Sequence, residues 1–281
     1  MKTDNLKIAV LSGKGGAGKT LVSVNLAAVA KNSTYIDCDV EEPNGYLFFK
    51  PENVVKKDVT VKIPVVDDEL CNGCRKCVKF CRYNALAYIK NKVVVYDQIC
   101  HSCGGCMLVC PHGAISEKDR TIGKIESGTS KDTQIYTGVL NIGEVSGVPI
   151  IKEMVESKFD GLTIIDSPPG SACIVMESIK DANYCILVAE PTIFGVHNLE
   201  MIHELVKVFG KKFGVIINKS LDSDELVESF CKENGVKILG KIPFDKELGE
   251  LNSDAKIAVR ESVKYKELFL NLLDKVLKEA S

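Results

Sequence analysis

Residues 6–20, LKIAVLSGKGGAGKT, decide the fold of this chain. The apolar run 6–11 has the length and composition of a buried strand, and a glycine-rich loop with the pattern G-x-x-x-x-G-K-[ST] follows it at residues 13–20. Apolar residues recur at helical spacing over 21–30, and a second strand is predicted at 34–37. Because a strand, a helix and a second strand in this order form a βαβ unit, the sequence predicts a parallel sheet covered by helices.

The glycine-rich loop predicts a phosphate site. Its glycines allow successive backbone N–H groups to converge on one anion, and the helix that follows adds the positive end of its dipole. We expect Lys19 to reach the β- and γ-phosphates and the Thr20 hydroxyl to bind Mg²⁺. A glycine-rich turn without a ligand is the alternative, but the position between a strand and a helix favours phosphate binding. The nucleotide-binding residues expected in this loop are Gly13, Gly15, Gly16, Ala17, Gly18, Lys19 and Thr20.

The same alternation of strands and helices returns in the second half of the chain. Strands are predicted at 161–166, 184–189, 213–218 and 236–239, and helices at 197–209 and 223–233. The predicted fold class is therefore α/β, a doubly wound and mostly parallel sheet of the P-loop NTPase type.

Eight of the twelve cysteines form two strings with the spacing C-x2-C-x2-C-x3-C, and the second string ends in a proline. This spacing is typical of bacterial ferredoxins with two [4Fe–4S] clusters, in which the fourth cysteine of each string binds the other cluster. Zinc is the main alternative, but it would leave the x3-C cysteines and the proline unexplained. The predicted ligands are Cys71, Cys74, Cys77 and Cys110 for the first cluster, and Cys100, Cys103, Cys106 and Cys81 for the second.

The cysteine strings interrupt the strand–helix alternation and so predict an inserted domain. We expect a small α+β ferredoxin-like domain at residues 61–116, with the P-loop domain divided into residues 1–60 and 117–281. Whether Cys173 or Cys38 binds a further metal or cluster stays open.

Composition and charge exclude several classes of protein. The net charge of −2 argues against a nucleic-acid partner, which requires clustered Lys and Arg. The sequence shows no signal peptide and no span of membrane length, so we expect a cytoplasmic protein. The amphipathic terminal segment 265–278 mixes acids with lysines on its polar face, which favours packing against the sheet over stable membrane association.

With Lys14, the loop reads KGGAGKT and resembles that of the deviant Walker A ATPases, the MinD, ParA and Mrp group, with the nitrogenase iron protein and the arsenite-pump ATPase as relatives. The resemblance implies that Lys14 reaches the nucleotide of a facing subunit, and hence an ATP-dependent homodimer. It extends to Asp37 and Asp39 after the second strand and to Asp166 in the segment DSPPG.

The resemblance also implies roles for these residues. Lys14, Lys19 and Asp39 would be catalytic, with Asp39 orienting the attacking water. Thr20, Asp37 and Asp166 would surround Mg²⁺, and Asn218 and Pro243 would contact the base. The residue pattern alone supports the acids, because a carboxylate at the carboxyl end of a strand points into the ligand crevice of a doubly wound sheet. A turn or N-cap role is the alternative for the acids and Asn218.

An ATPase and two electron-transfer clusters in one chain resemble the MinD-superfamily ATPases that contain an inserted ferredoxin domain. The expected function is an ATPase whose nucleotide-driven dimer closure controls electron delivery, or metal and Fe–S cofactor transfer, to a redox or metalloprotein partner. An Fe–S scaffold or carrier with ATP-controlled release is the alternative. A positioning ATPase of the partition type would need a DNA- or membrane-binding surface, which the sequence does not offer.

Overall fold

A computed structural model describes residues 5–221 and 224–280. Its strands are β1 (Leu6–Leu11), β2 (Ser33–Asp37), β3 (Glu52–Val66), β4 (Leu86–Ile89), β5 (Lys92–Val95), β6 (Ile115–Ser130), β7 (Thr133–Leu140), β8 (Leu162–Asp166), β9 (Tyr184–Ala189), β10 (Lys212–Ser220) and β11 (Ile238–Pro243). Its α-helices are α1 (Lys19–Val29), α2 (Gly45–Phe49), α3 (Lys76–Phe80), α4 (Gly105–Leu108), α5 (Val148–Val155), α6 (Cys173–Ile179), α7 (Ile193–Val208), α8 (Glu225–Glu233), α9 (Lys246–Ser253), α10 (Ala258–Glu261) and α11 (Val263–Ala280).

One large sheet organises the described residues. Nine strands follow the order β11-β10-β9-β1-β8-β2-β7-β6-β3. The pairs from β11 to β7 are parallel, whereas β6 is antiparallel to both β7 and β3. The α/β, mostly parallel sheet predicted from the sequence is therefore confirmed.

Helices cover both faces of this sheet, because successive residues of a strand point to opposite faces. Ile8 and Val10 of β1 belong to a core that includes residues of α1, α2, α9, α10 and α11. Ala9 and Leu11 belong to a second core with residues of α5, α6, α7 and α8. Both cores consist of buried apolar side chains, so burial of apolar surface on each side of the sheet is the main force that stabilises the fold.

The two cysteine strings lie between β3 and β6, which pair along nearly their whole length from Glu52 to Val66 and from Ile115 to Thr129. The two strands form a long antiparallel ribbon at the edge of the large sheet. β3 therefore runs through the boundary expected between residues 60 and 61. The chain from 67 to 114 forms a smaller unit of α3, α4 and the β4–β5 hairpin, with its own apolar cluster around Cys77, Leu86, Val93 and Ile115.

Several element ends differ from the sequence prediction. α1 begins at Lys19 rather than residue 21, directly after the left-handed Gly18. α7 begins at Ile193 rather than 197, because the Thr192 side chain caps it by accepting a hydrogen bond from the Gly195 N–H at 2.9 Å. β11 covers Ile238–Pro243 rather than 236–239. The helix predicted at 223–233 begins at Glu225, and residue 223 itself lies outside the described residues.

The terminal helix α11 packs beside α1 on one face of the large sheet, as predicted. Its buried side chains join the same core as α1 and are Tyr265, Phe269, Leu272, Leu273 and Val276. In the part of the chain that the structure describes, no helix combines the length and the apolar character needed to cross a bilayer.

Replacing Phe269 should destabilise the protein. Phe269 is fully buried, and truncation of a buried Phe to Ala costs about 3–5 kcal/mol in the free energy of unfolding. We expect Phe269→Ala to lower this free energy in urea denaturation followed by circular dichroism, while the exposed Lys266→Ala on the same helix leaves it unchanged. A Phe269→Ala protein of wild-type stability would contradict the packing role of α11.

Candidate functional site

The predicted nucleotide site lies at the carboxyl ends of the central parallel strands. β1 pairs with β8 on one side and β9 on the other, and the chain leaves all three strands at this edge of the sheet. In doubly wound sheets, ligands bind in the crevice at this edge. The loop from Ser12 to Gly18 connects β1 to α1 here and forms its floor.

Two glycines of this loop have no room for a side chain. Gly18 has φ +93°, and a Cβ at this position would lie 1.9 Å from the Asn218 side-chain nitrogen. A Cβ on Gly13 would lie 2.2 Å from the backbone oxygen of Asn198 in α7. The Asn218 amide donates a hydrogen bond to the Ala17 carbonyl at 2.8 Å. β10 and α7 therefore hold the phosphate loop from two sides.

Lys19 forms a buried ion pair with Asp166. Its Nζ donates to Asp166 Oδ1 at 2.6 Å, and the two side chains are 8% and 1% exposed. Burial alone would lower the pKa of Lys19, but the charge and hydrogen bond of Asp166 outweigh it and raise that pKa above its usual value. The Tyr35 hydroxyl donates to the second oxygen of Asp166 at 2.8 Å. Both oxygens of Asp166 thus accept a hydrogen bond from a side chain of this site.

Asp37 folds the segment that follows β2. Its Oδ1 accepts from the Asp39 N–H at 3.1 Å, and its Oδ2 accepts from the N–H groups of Asn44 and Gly45 at 3.0 and 2.8 Å. Burial and the nearby Asp166 charge raise the pKa of Asp37 to about 7. Asp39 is less buried and lines the cavity beside the phosphate loop, and burial raises its pKa as well. Asp37 and Asp166 pair in register across neighbouring strands, so the two buried carboxylates lie side by side.

Lys14 forms an ion pair with Glu190, whereas Lys19 pairs with Asp166. Its Nζ lies 3.0 Å from Glu190 at the end of β9, and Lys219 Nζ lies 2.5 Å from the other oxygen of the same carboxylate. Lys219 also donates to the Gly16 carbonyl at 3.1 Å. Burial would raise the pKa of Glu190, but the hydrogen bonds of Lys219 and Lys14 lower it below its usual value. Lys14 is 39% exposed, so it can leave Glu190 without opening the core.

The remaining predicted residues line two adjoining cavities. Gly15, Gly16, Lys19 and Thr20 border the first, together with Asp39. The second is lined by Asn218, Pro243 and the exposed Phe244, with Gly16 and Gly18 shared between both. The residues expected at the phosphates and those expected at the base thus line neighbouring cavities.

Three residues of this site were missed by sequence reasoning. Glu190 directly follows the strand predicted at 184–189, and an acid at the carboxyl end of a strand is the signal that supported Asp166, so Glu190 could have been found in the same way. Lys219 directly follows Asn218, but nothing in its neighbourhood distinguishes it from a surface lysine. Tyr35 lies within a buried strand, and no local pattern reveals that its hydroxyl meets Asp166.

The two cysteine strings fold in the same way. Each has a left-handed residue two positions after its first cysteine, Gly73 and Ser102, and another just after its second cysteine, Arg75 and Gly104. A third left-handed pair, Asn84 and Gly113, follows the two fourth cysteines. α3 begins after Arg75 and α4 after Gly104. The internal repeat of the sequence is thus a repeat of backbone conformation.

Each string contributes to two separate cavities. One cavity is lined by Cys71, Cys74, Cys77 and Cys110, and the other by Cys81, Cys100, Cys103 and Cys106. The fourth cysteine of each string therefore faces the cavity of the other string. Among the described residues, no three Cys, His, Asp or Glu side chains are close enough to hold a single metal ion. A four-iron cluster binds each thiolate through a different iron, so the donor set fits two such clusters better than two single ions.

A cleft lies between the second cysteine string and two segments that follow acids of the nucleotide site in the chain. Cys100, His101 and Ser102 line one wall, and Glu41 and the segment Ala172–Ile174 line another. Glu41 follows Asp39 by two residues, and Ala172 follows Asp166 by six. Cys173 is exposed at this cleft.

A partly buried ion pair also lines this cleft. Arg120 of β6 donates two hydrogen bonds to the Glu144 carboxylate, at 2.6 and 2.8 Å. Glu144 and Gly147 belong to the segment between β7 and α5, and Gly147 approaches the Val40 side chain. Just before this segment, the N–H of Leu140, the last residue of β7, donates to the Val40 carbonyl at 2.8 Å. The ribbon that carries the cysteine strings is thus attached to the residue that follows Asp39.

Comparison with known proteins identifies the family. Residues 8–258 match the CobQ/CobB/MinD/ParA nucleotide-binding domain family, CbiA. An uncharacterized protein of Methanocaldococcus jannaschii, MJ0578, is 31% identical over 272 residues, which cover 92% of this chain and 94% of that protein. An iron–sulfur cluster carrier protein of the same organism is 24% identical over 294 residues, which cover 97% and 84% of the two chains.

The fold is similar to that of a solved cell division ATPase. The MinD structure from Pyrococcus furiosus superposes with a TM-score of 0.60 at 19% identity, covering 98% of this chain and 99% of that one. The family match spans most of the chain and includes the phosphate loop, so this protein is a P-loop ATPase of the CobQ/CobB/MinD/ParA nucleotide-binding family.

Proposed function

We propose that this protein is a dimeric Mg-ATP-dependent ATPase that couples hydrolysis to electron transfer, or to maturation of a metal or Fe–S cofactor, in a partner protein. Two [4Fe–4S] clusters would serve this coupling. The observation that carries the proposal is the cleft in which the Cys100–Ser102 loop meets Glu41 and the segment Ala172–Ile174. In this cleft, residues of the second cysteine string lie beside residues that follow Asp39 and Asp166 in the chain.

The nucleotide side of the coupling begins at the Lys19–Asp166 pair. To reach the phosphates, Lys19 exchanges the Asp166 carboxylate for the nucleotide, which changes the balance of charge around Asp166 and Asp37. Asp39 would orient the attacking water, and Thr20, Asp37 and Asp166 would hold Mg²⁺, which would supply positive charge to the phosphates. Lys14 releases Glu190 and reaches the nucleotide of a second copy. Contacts of this kind order the segments near a γ-phosphate and release them after hydrolysis.

The cysteine side rests on the two four-thiol cavities. Cys71, Cys74, Cys77 and Cys110 would hold one cluster, and Cys81, Cys100, Cys103 and Cys106 the other. When bound, such clusters accept and donate single electrons. The chain itself supplies the thiols, the apolar surround and the loop at the cleft. A change in position of Glu41 or Cys173 would alter the cleft that Cys100 and His101 also line.

An iron–sulfur carrier is the second candidate, because one relative bears that name at 24% identity over nearly the whole chain. In a carrier, a cluster is cargo and leaves with ATP turnover. Transfer of iron to an apo-ferredoxin during hydrolysis would favour the carrier, whereas retention of all iron through many turnovers would favour electron transfer.

The two loop lysines should differ in their effects. Lys19→Ala should abolish hydrolysis and weaken ATP binding. Lys14→Ala should keep ATP binding but lose ATP-dependent dimerisation, with hydrolysis reduced by about 100-fold or more because one phosphate donor is missing. Phosphate release and light scattering after size exclusion measure these effects, with the exposed Lys31→Ala as control. A Lys14→Ala protein that dimerises and hydrolyses normally would contradict the shared-site proposal.

Because each proposed cluster takes ligands from both cysteine strings, variants of the same cluster's ligands should lose the same EPR signal. Anaerobically purified protein should contain about eight irons per chain. Cys81→Ala should lose the same EPR signal as Cys103→Ala, and Cys110→Ala the same signal as Cys74→Ala, although each partner lies in the other string. Cys173→Ala should retain all iron. Zinc in place of iron, or a Cys81→Ala spectrum that matches Cys74→Ala, would count against the assignment.

Nucleotide should alter the EPR spectrum of the dithionite-reduced protein. The change would pass through the Arg120–Glu144 pair, which links the β3–β6 ribbon to the segment next to Val40. We expect Mg-ATP to change the spectrum of the wild type, and Glu144→Gln or Arg120→Gln to weaken this response while iron content and ATP binding remain. Lys56→Gln is the matched control, because Lys56 of β3 forms an ion pair with Glu126 of β6 on the same ribbon at 3.2 Å, away from both cysteine cavities. An iron-loaded wild type that is indifferent to Mg-ATP would exclude direct coupling.

A further inference from the structure

We propose that Tyr35 is a positioning residue of the ATPase site, whose hydroxyl holds the Asp166 carboxylate in place for Mg²⁺ when Lys19 leaves it for the nucleotide. The inference concerns this chain's own residues and stands on the ATPase site alone. It is independent of the cysteine segment and of any partner.

The two oxygens of Asp166 accept hydrogen bonds from two different side chains, of which only Lys19 also has to bind the phosphates. Lys19 Nζ holds Oδ1 at 2.6 Å, and the Tyr35 hydroxyl holds Oδ2 at 2.8 Å. Lys19 is on the phosphate loop and is required by the phosphates. Tyr35 is in the middle of β2, where its backbone pairs with β7 and β8. When Lys19 moves, only Tyr35 of these two donors still fixes the rotation of the carboxylate.

The Tyr35 ring cannot move away easily. It is fully buried, and its centroid lies 4.9 Å from that of Phe49. On its other side is Gly45, where a Cβ would lie only 2.4 Å from the ring and hydroxyl. Gly45 is itself fixed by its N–H bond to Asp37. Tyr35 therefore joins Asp166 to α2 and to the segment that Asp37 folds.

The hydroxyl is suited to this role by its chemistry. An ionised carboxylate only accepts hydrogen bonds, so the phenol O–H is the donor in the 2.8 Å contact with Asp166. Outer partners of metal-binding carboxylates tune metal affinity in this way, and their loss costs about 10- to 100-fold in that affinity.

The test is Tyr35→Phe, which removes the hydroxyl and keeps the ring between Phe49 and Gly45. We expect the Mg²⁺ concentration needed for half-maximal tightening of fluorescent ADP binding to rise by about 10- to 100-fold. Nucleotide affinity in excess EDTA should stay at the wild-type value. Mn²⁺ binding to the ADP complex, followed by EPR, should weaken by a similar factor and gives a readout apart from turnover.

The matched control is Tyr184→Phe. Tyr184 is buried in the same core as Tyr35, and its hydroxyl has no hydrogen-bond partner among the described residues. Its variant should bind Mg²⁺ and nucleotide as the wild type does. Both variants are compared by melting temperature, so that a loss of stability is separated from a loss of metal affinity.

A purely structural role for Tyr35 would give a different result. Tyr35→Phe would then lower the melting temperature and leave the Mg²⁺ and Mn²⁺ titrations unchanged, which would overturn the proposal. Gly45→Ala provides a second variant, because its Cβ displaces the Tyr35 ring without removing the hydroxyl. It should raise the Mg²⁺ requirement in the same direction, and wild-type titrations in both variants would also overturn the proposal.

Discussion

The buried ion pair between Lys19 and Asp166 is the interaction on which the nucleotide site depends. Two charges have been removed from water here, and this is favourable only with close contact and further hydrogen bonds. Tyr35 supplies one such bond to Asp166, and the neighbouring Asp37 adds negative charge near Lys19. Removing one partner of a buried pair costs about 3–5 kcal/mol, so in the proposed mechanism the nucleotide replaces what Lys19 loses. Under that proposal, phosphate binding and rearrangement of the surrounding acids are the same event.

The sequence predicts the parts of the site that depend on local chemistry. The phosphate loop needs glycines at fixed offsets, and the acids stand where strands end, so both were visible in the sequence. The cysteine strings were visible for the same reason, because thiols on one short loop must share a site. The crossed arrangement of Cys81 and Cys110 around the two cavities follows the predicted pattern, while their ligation of iron remains a prediction.

Contacts between distant parts of the chain could not be predicted in this way. Tyr35 and Asp166 are 131 residues apart in sequence, and Lys14 meets Glu190 only because β1 and β9 are neighbours in the sheet. The extent of β3 and β6 was also missed. Their many charged residues and half-exposed faces suit an edge ribbon, whereas a sequence reading expects a buried strand to be short and apolar.

The antiparallel ribbon of β3 and β6 allows the segment between its two strands to be replaced or removed. Val66 and Ile115 are paired residues on adjacent strands, so the chain leaves the sheet and returns to it at almost the same point. A tight hairpin could join these two positions, because antiparallel neighbours need no crossover. The hydrogen bonding of the large sheet does not depend on what lies between them. The cysteine segment is therefore a modular attachment, and the ATPase fold can carry, exchange or dispense with it at a single place on its edge.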